Sequence, residues 1–162
     1  MMGFKYDTRC QEISGIIRYK KGSGRWVSHK QRKERDRTLA QDFNGVIIEE
    51  SLAQKDVLQK LSILQTQVAA VTERHQTPWI QQWTLHTVTI PASQVLEIAD
   101  ELSKSLDPEH AWYADFNNGE GYFVIFRNAI FTWRKGDQDA VERAKGYGRQ
   151  LGIPDYQLDF PV

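Results

Sequence analysis

His86 and Asp115 are the residues from which acid–base chemistry would be built in this chain. An imidazole titrates near neutrality, and a carboxylate beside it can orient it or take its proton. Trp83, Tyr113, Tyr122 and Phe126 supply aromatic surface for a ligand, with polar edges on the indole and the phenols. Each residue also has a plainer reading. His86 reads as a buried histidine with one hydrogen-bond partner, and Asp115 as a cap for the Asn117–Asn118 turn or a partner for Arg127. Trp79 and Trp83, four residues apart, read as packing residues before ligand platforms. No stronger catalytic pattern is present: the sequence has no His-x-x-x-His, no paired cysteine and no Gly-x-Ser-x-Gly. Gly119-Glu120-Gly121 is a turn between strands, not a phosphate-binding loop. His75, His86, His110, Glu109 and Asp115 contain no pair at metal-ligand spacing, so no metal and no cofactor are expected.

These residues must be positioned by a hairpin, Trp112 to Arg127, WYADFNNGEGYFVIFR. Asn118-Gly119 is a strong two-residue type I′ turn signal, because both central positions of that turn need positive φ. Such a turn sets Asn117 opposite Glu120, Phe116 opposite Gly121 and Asp115 opposite Tyr122. Side chains alternate along a strand, so two faces separate. Trp112, Ala114, Phe116, Phe123, Ile125 and Arg127 form one, apolar enough to be the core. Tyr113, Asp115, Tyr122, Val124 and Phe126 form the other, expected to be partly open and able to bind.

The flanking segments read as supports. Residues 45–52, with the apolar centre Val46-Ile47-Ile48, predict a strand. Gln54 to Lys60 can hold a helical turn. Leu61 to Thr72 is read as a strand, although Leu61, Leu64, Val68 and Val71 also fit helical spacing. Trp83 to Ile90 is rich in β-branched residues and predicts a strand. Pro91 opens a helix whose stripe is Val95, Ile98, Ala99, Leu102 and Leu106. Ile130 to Trp133 is a short strand, and Asp137 caps a second helix with stripe Val141, Ala144, Tyr147 or Gly148, and Leu151. Gly152 and Pro154 stop it, and Tyr156 to Phe160 alternates as a last strand. From Trp83 the order is β-α-β-β-α-β, which predicts an α+β, ferredoxin-like sandwich with both helices on one face and extra N-terminal strands.

Charge divides the chain. Residues 1–43 hold eleven Lys/Arg against five Asp/Glu, whereas 44–162 hold ten against sixteen. The expected organisation is a basic extension over 1–43, flexible or non-native, followed by one α+β domain over 44–162. Within the extension, Ile13, Ile16, Ile17 and Tyr19 can form a short strand. Arg25, Lys30, Arg32, Lys33 and Arg35 stand in a charge-dense stretch that reads as a solvated tail or as an electrostatic arm for nucleic acid. Cys10 is the single cysteine, so an intrachain disulfide is excluded and a cytoplasmic location is expected. No apolar run approaches membrane-spanning length, and the start lacks the apolar stretch of a secretion signal.

Asn44 to Leu52, Thr77-Pro78-Trp79, Gln82 to Thr87, Trp112 to Phe116, Ile125 to Asn128 and Leu151 to Pro154 together resemble a conserved, uncharacterised family of small bacterial and archaeal proteins. The resemblance runs from about residue 43 to the end. It implies that residues 1–43 are an addition, and it brings no activity with it.

The best-supported expectation is a non-catalytic small-ligand or protein-binding module, regulatory in character, and a homodimer through sheet faces. Its ligand-binding residues would be Tyr113, Asp115, Tyr122, Phe126 and Trp83. An alternative is a small-substrate enzyme using His86 and Asp115, which requires both on one cleft. Another is nucleic-acid binding through residues 18–37. The β-α-β-β-α-β order also suggests RNA recognition, but Gly121 to Phe126 lacks the basic and aromatic positions of that module's third strand, and residues 44–162 are acidic.

Overall fold

The computed structural model describes residues 10–13, 16–19 and 41–161. Among them, eight strands form one antiparallel sheet in the order β1-β2-β8-β7-β6-β3-β5-β4. The strands are β1 Cys10–Ile13, β2 Ile16–Tyr19, β3 Phe43–Ile48, β4 Ser62–Ala70, β5 Gln82–Ile90, β6 Tyr113–Asn117, β7 Gly121–Phe126 and β8 Ala129–Arg134. Two helices accompany them, α1 Val95–Ser105 and α2 Gln138–Gln150. The class is α+β. Strand β3 lies between β5 and β6, so the β5–α1–β6 unit crosses over one intervening strand. Phe43, at the charge boundary, is already core at 1% exposure.

The helices lie on opposite faces of the sheet, not together. Phe123 and Ile125 of β7 pack in a cluster with Val95, Ile98, Ala99 and Leu102 of α1. Their neighbours Tyr122, Val124 and Phe126 pack with Ala140, Val141 and Ala144 of α2. Strand β7 is consequently buried at every position, which is why its sequence is a continuous apolar run. Such runs mark strands covered on both faces.

Two further expectations are corrected. Tyr156 to Phe160 is not a strand: Asp155–Gln157 is a single 3-10 turn followed by irregular chain. Leu158 and Phe160 are nevertheless buried, because this segment folds back beside α2 rather than pairing with the sheet. The order from β5 is therefore β-α-β-β-β-α, which departs from the ferredoxin-like pattern. Leu151 is 40% exposed, so the α2 stripe consists of the small residues Ala140, Val141, Ala144 and Gly148. Asp137 does cap the helix, its side chain accepting from the Ala140 N–H.

The hairpin register is shifted. Asn117 pairs with Tyr122, Phe116 with Phe123 and Asp115 with Val124. Asn118 to Gly121 make the turn, with Asn118 Oδ1 accepting from the Gly121 N–H at 2.8 Å. Only Gly119 has positive φ there, +85°, so the turn is not type I′. The pairing moved by two residues, an even number, and the division of side chains between faces is unchanged. At its far end, Arg127 donates to the Leu106 carbonyl and at 3.3 Å to that of Lys104, covering acceptors left open at the α1 C-terminus. It makes no pair with Asp115.

Candidate functional site

The α2 face is covered over β6 to β8 and open over β3 and β5. Where cover ends, a cleft of about 770 Å³ forms. Its floor is the sheet: Val46 and Ile48 of β3, Trp83 and Leu85 of β5, Tyr113 and Asp115 of β6. One wall is the loop between β4 and β5, including His75, Thr77 and Trp79; the other is the segment from Gly152 to Gln157. Thr77-Pro78 halts regular structure in the first wall, and Gly152 at φ +87° turns the chain out of α2 into the second.

Specific hydrogen bonds hold these walls. Tyr113 Oη donates to the Gln157 carbonyl at 2.5 Å, and Gln157 Nε2 donates to the His75 carbonyl at 3.1 Å. His75 closes a capping box, its Nδ1 accepting from the Thr72 N–H at 2.8 Å. That leaves Nε2 to carry the ring proton, with the ring against Trp83 at 4.3 Å between centroids. Trp83 Nε1 donates to Thr77 Oγ1 at 3.1 Å. Trp79 forms the rim, 47% exposed and stacked on His110 at 3.9 Å. His110 Nδ1 is 2.6 Å from Asp107 Oδ2. Burial would raise the Asp107 pKa, but the Glu109 N–H and His110 outweigh it and hold the carboxyl below its usual range. The buried Trp112 indole N–H also favours that carboxylate electrostatically while falling outside hydrogen-bond geometry.

Asp115 stands in the middle of β6, between Val46 of β3 and Val124 of β7. Burial among these neighbours pushes its pKa up. Burial, with Asp115 and Asp159 adding negative charge, pushes the Tyr113 phenol up to about 12, so it remains a hydrogen-bond donor.

Of the expected ligand-binding residues, the cleft brings together Trp83, Tyr113 and Asp115. Tyr122 and Phe126 are corrected to core residues. Tyr122 stacks on Trp133 at 5.7 Å, and Phe126, 0% exposed, lies between Tyr113, Phe131 and Tyr147. The covering element is α2 with the segment after it, which strand alternation alone does not reveal. The basic residues Arg25, Lys30, Arg32, Lys33 and Arg35 lie outside the described residues.

His86 and Asp115 do not share a cleft. His86 pairs with Ile47 of β3, whereas Asp115 pairs with the adjacent residue Val46, so the two side chains project from opposite faces. That separation ends the acid–base pairing of the two. His86 is buried with two partners, Thr66 Oγ1 on Nδ1 and Glu49 Oε2 on Nε2, both at 2.9 Å. Hydroxyl, imidazole and carboxylate thus stand in line, but away from the cleft. Glu49 is also held by Lys55 at 2.7 Å; Lys55 first and His86 second lower its pKa. Its neighbour Glu50 accepts from the N–H and hydroxyl of Thr84 at 2.7 and 2.8 Å. The 3-10 turn Glu49–Ser51 is thereby fastened across β5, a structural role for all these groups.

Sequence reading weighs His75 only as a metal ligand and does not bring it, Tyr156 and Gln157 to this cleft. Their segments carried turn signals, or an alternation taken for a strand, with nothing linking the two. Among the described residues, no three His, Cys, Asp or Glu side chains converge as a metal site would require. No helix among them is long and apolar enough to cross a membrane. No protein-family model, curated protein or solved structure matches the chain.

Proposed function

We propose that this protein is a non-catalytic binding module for a small molecule, with the cleft between β3, β5, β6 and the two wall segments as its site. The observation that carries the proposal is an aromatic cleft of about 770 Å³ whose walls are fastened by hydrogen bonds within the chain. Small-molecule sites are typically concave, about 300–1,000 Å³, apolar-lined with a few placed polar groups, and largely preformed. Among the described lining residues Asp115 is the only carboxylate, and two other titratable groups, Tyr113 and His75, are engaged in hydrogen bonds to Gln157 and Thr72. Thr77-Pro78-Trp79, Trp112 to Phe116 and Leu151 to Pro154 all contribute to the cleft. These segments carry the resemblance to the bacterial and archaeal family, and their convergence supports membership in it. The single cysteine supports a cytoplasmic setting.

The test is ligand-observed NMR with a mixture of aromatic and amine fragments, comparing the wild type with Val46→Phe. Val46 is 44% exposed on the cleft floor, so the larger side chain fills the cleft without entering the core. Fragment signals should be lost in a Val46→Phe protein whose circular dichroism is unchanged. Equal binding by the two proteins rejects the site.

A further inference from the structure

Resting on that reading of the cleft, we infer that its ligand is a small organic cation, an ammonium compound, seated against the Asp115 carboxylate between aromatic rings. The first observation is which polar groups are occupied. Tyr113 Oη donates its proton to the Gln157 carbonyl, Trp83 Nε1 donates to Thr77, and His75 Nδ1 accepts from Thr72. These three aromatic polar groups are therefore taken up in holding the walls. Asp115 is not: among the described residues no hydrogen bond or ion pair engages its carboxylate. A neutral donor in the lining does not serve it either, since Tyr113, two residues away on the same face, points its proton elsewhere.

The second observation is charge. Among the described residues, the lining contains Asp115 and no lysine or arginine. Asp159 lies near enough to Tyr113 to act on its phenol and adds negative charge there. An anionic ligand would meet a desolvated carboxylate with no cation to offset it, which is strongly unfavourable. A cation would supply the missing partner.

The third observation is the surrounding surface. Trp79, Trp83, Tyr113 and Tyr156 line the same cleft as Asp115. Aromatic faces attract cations through their quadrupole, and such rings are the usual surroundings of quaternary ammonium ligands in proteins. Val46 and Val124 flank Asp115 across the sheet, and partial burial of the carboxylate strengthens its attraction for a bound cation. A carboxylate placed mid-strand between two valines does nothing for the fold, and the cleft is the direction in which it is accessible.

The experiment measures binding by ¹H–¹⁵N correlation spectra and calorimetry with matched probes. Choline and benzylamine are the cations, 3,3-dimethylbutan-1-ol and benzyl alcohol their neutral counterparts, and benzoate the anion. The wild type should bind each cation at least about tenfold more tightly than its neutral counterpart, with shifts at Trp79, Trp83 and Asp115, and benzoate should not bind. Asp115→Asn, which keeps shape and removes charge, should bring that ratio close to one while the protein stays folded. Neutral and cationic probes binding alike in the wild type would overturn the cation and leave the cleft standing. A ratio unchanged in Asp115→Asn would overturn the assignment to Asp115. Binding by none of the probes would overturn both the cation and the cleft.

Discussion

The two halves of the sheet face that carries Asp115 have the same strand chemistry and opposite fates. Over β6 to β8, Tyr122, Val124, Phe126, Phe131 and Trp133 are buried by α2 and the chain after it. Over β3 and β5, Val46 remains 44% exposed and Leu85 and Thr87 only partly covered. Alternation states which side chains share a face. It does not state whether a remote helix will lie over them. The closed half is a second core and explains stability. The open half, bordered by the closed one, is where a cavity can exist.

The largest test of this contrast is truncation on each side. Phe126→Ala removes a fully buried ring touching Tyr113, Phe131 and Tyr147, and should cost about 3–5 kcal/mol in chemical denaturation. Val46→Ala, on the same face but in the open half, should cost about 1 kcal/mol or less. Comparable losses would show that the open half is also covered. Tyr122→Ala belongs with Phe126: it should lower stability by several kcal/mol and leave the cleft's lining residues in place.

Next comes the seam joining the halves. A Cβ on Gly45 would meet the Asp115 backbone oxygen at 2.3 Å and Phe116 Cδ1 at 2.4 Å. The backbone oxygen cannot rotate away, so β3 and β6 must separate. Gly45→Ala should cost about 1–3 kcal/mol and broaden the amide signals of β3 and β6. An unchanged midpoint of unfolding would remove the argument that this glycine is needed for close strand approach.

Asp115→Asn acts in the opposite direction. Burial raises the folded-state pKa above the ordinary value of 3.8. The folded protein therefore binds more protons than the unfolded chain between those values, and stability falls as pH rises through that window. The penalty is absent below it and complete above it. Removing the charge should stabilise the protein by about 1 kcal/mol or more at pH 7 and by little at pH 3.5. Asp107 and Glu49, whose pKa values are lowered, lose stability as pH falls instead. The difference between variant and wild type across pH thus isolates Asp115. A difference independent of pH would mean that folding does not shift the carboxyl's pKa, and a destabilisation that grows as pH rises would mean that the carboxylate has a partner.

Much of this arrangement was legible in the residues. The strands over 62–70, 82–90 and 113–126, both helices, the Asp137 cap and the two-faced division of the hairpin follow from period, β-branching and capping chemistry. The hairpin register did not, because Asn118 uses its side chain to accept from Gly121 where an Asn-Gly pair would otherwise set a tighter turn. The covered face was missed for two reasons. The unbroken apolar run of β7 signals burial on both sides, whereas alternation alone divides it into an inner and an outer set. The α2 stripe is built of alanine, valine and glycine, too small to announce a core. The cleft was half visible: Trp83, Tyr113 and Asp115 stand in readable strands. Its walls come from segments about eighty residues apart in sequence, joined by Gln157 and His75 in a contact with no sequence pattern.

That join suggests the smallest and most local perturbation. Tyr113→Phe keeps the ring that packs against Phe126 and Phe160 and removes only the hydroxyl that donates to Gln157. A single such bond contributes about 0.5–1.5 kcal/mol, so global unfolding should shift by about that amount or less. The effect on the wall should be greater than on the molecule. Residues 153–158 form no strand and rest on the buried Ile153, Leu158 and Phe160, this hydrogen bond and the one from Gln157 Nε2 to His75. Amide exchange there should accelerate several-fold while exchange in β7 and α1 stays unchanged, because local opening and global unfolding draw on different contacts. Uniform acceleration everywhere would mean that the wall and the closed half unfold as one unit, and the cleft would then be a surface of the core instead of a separately hinged site.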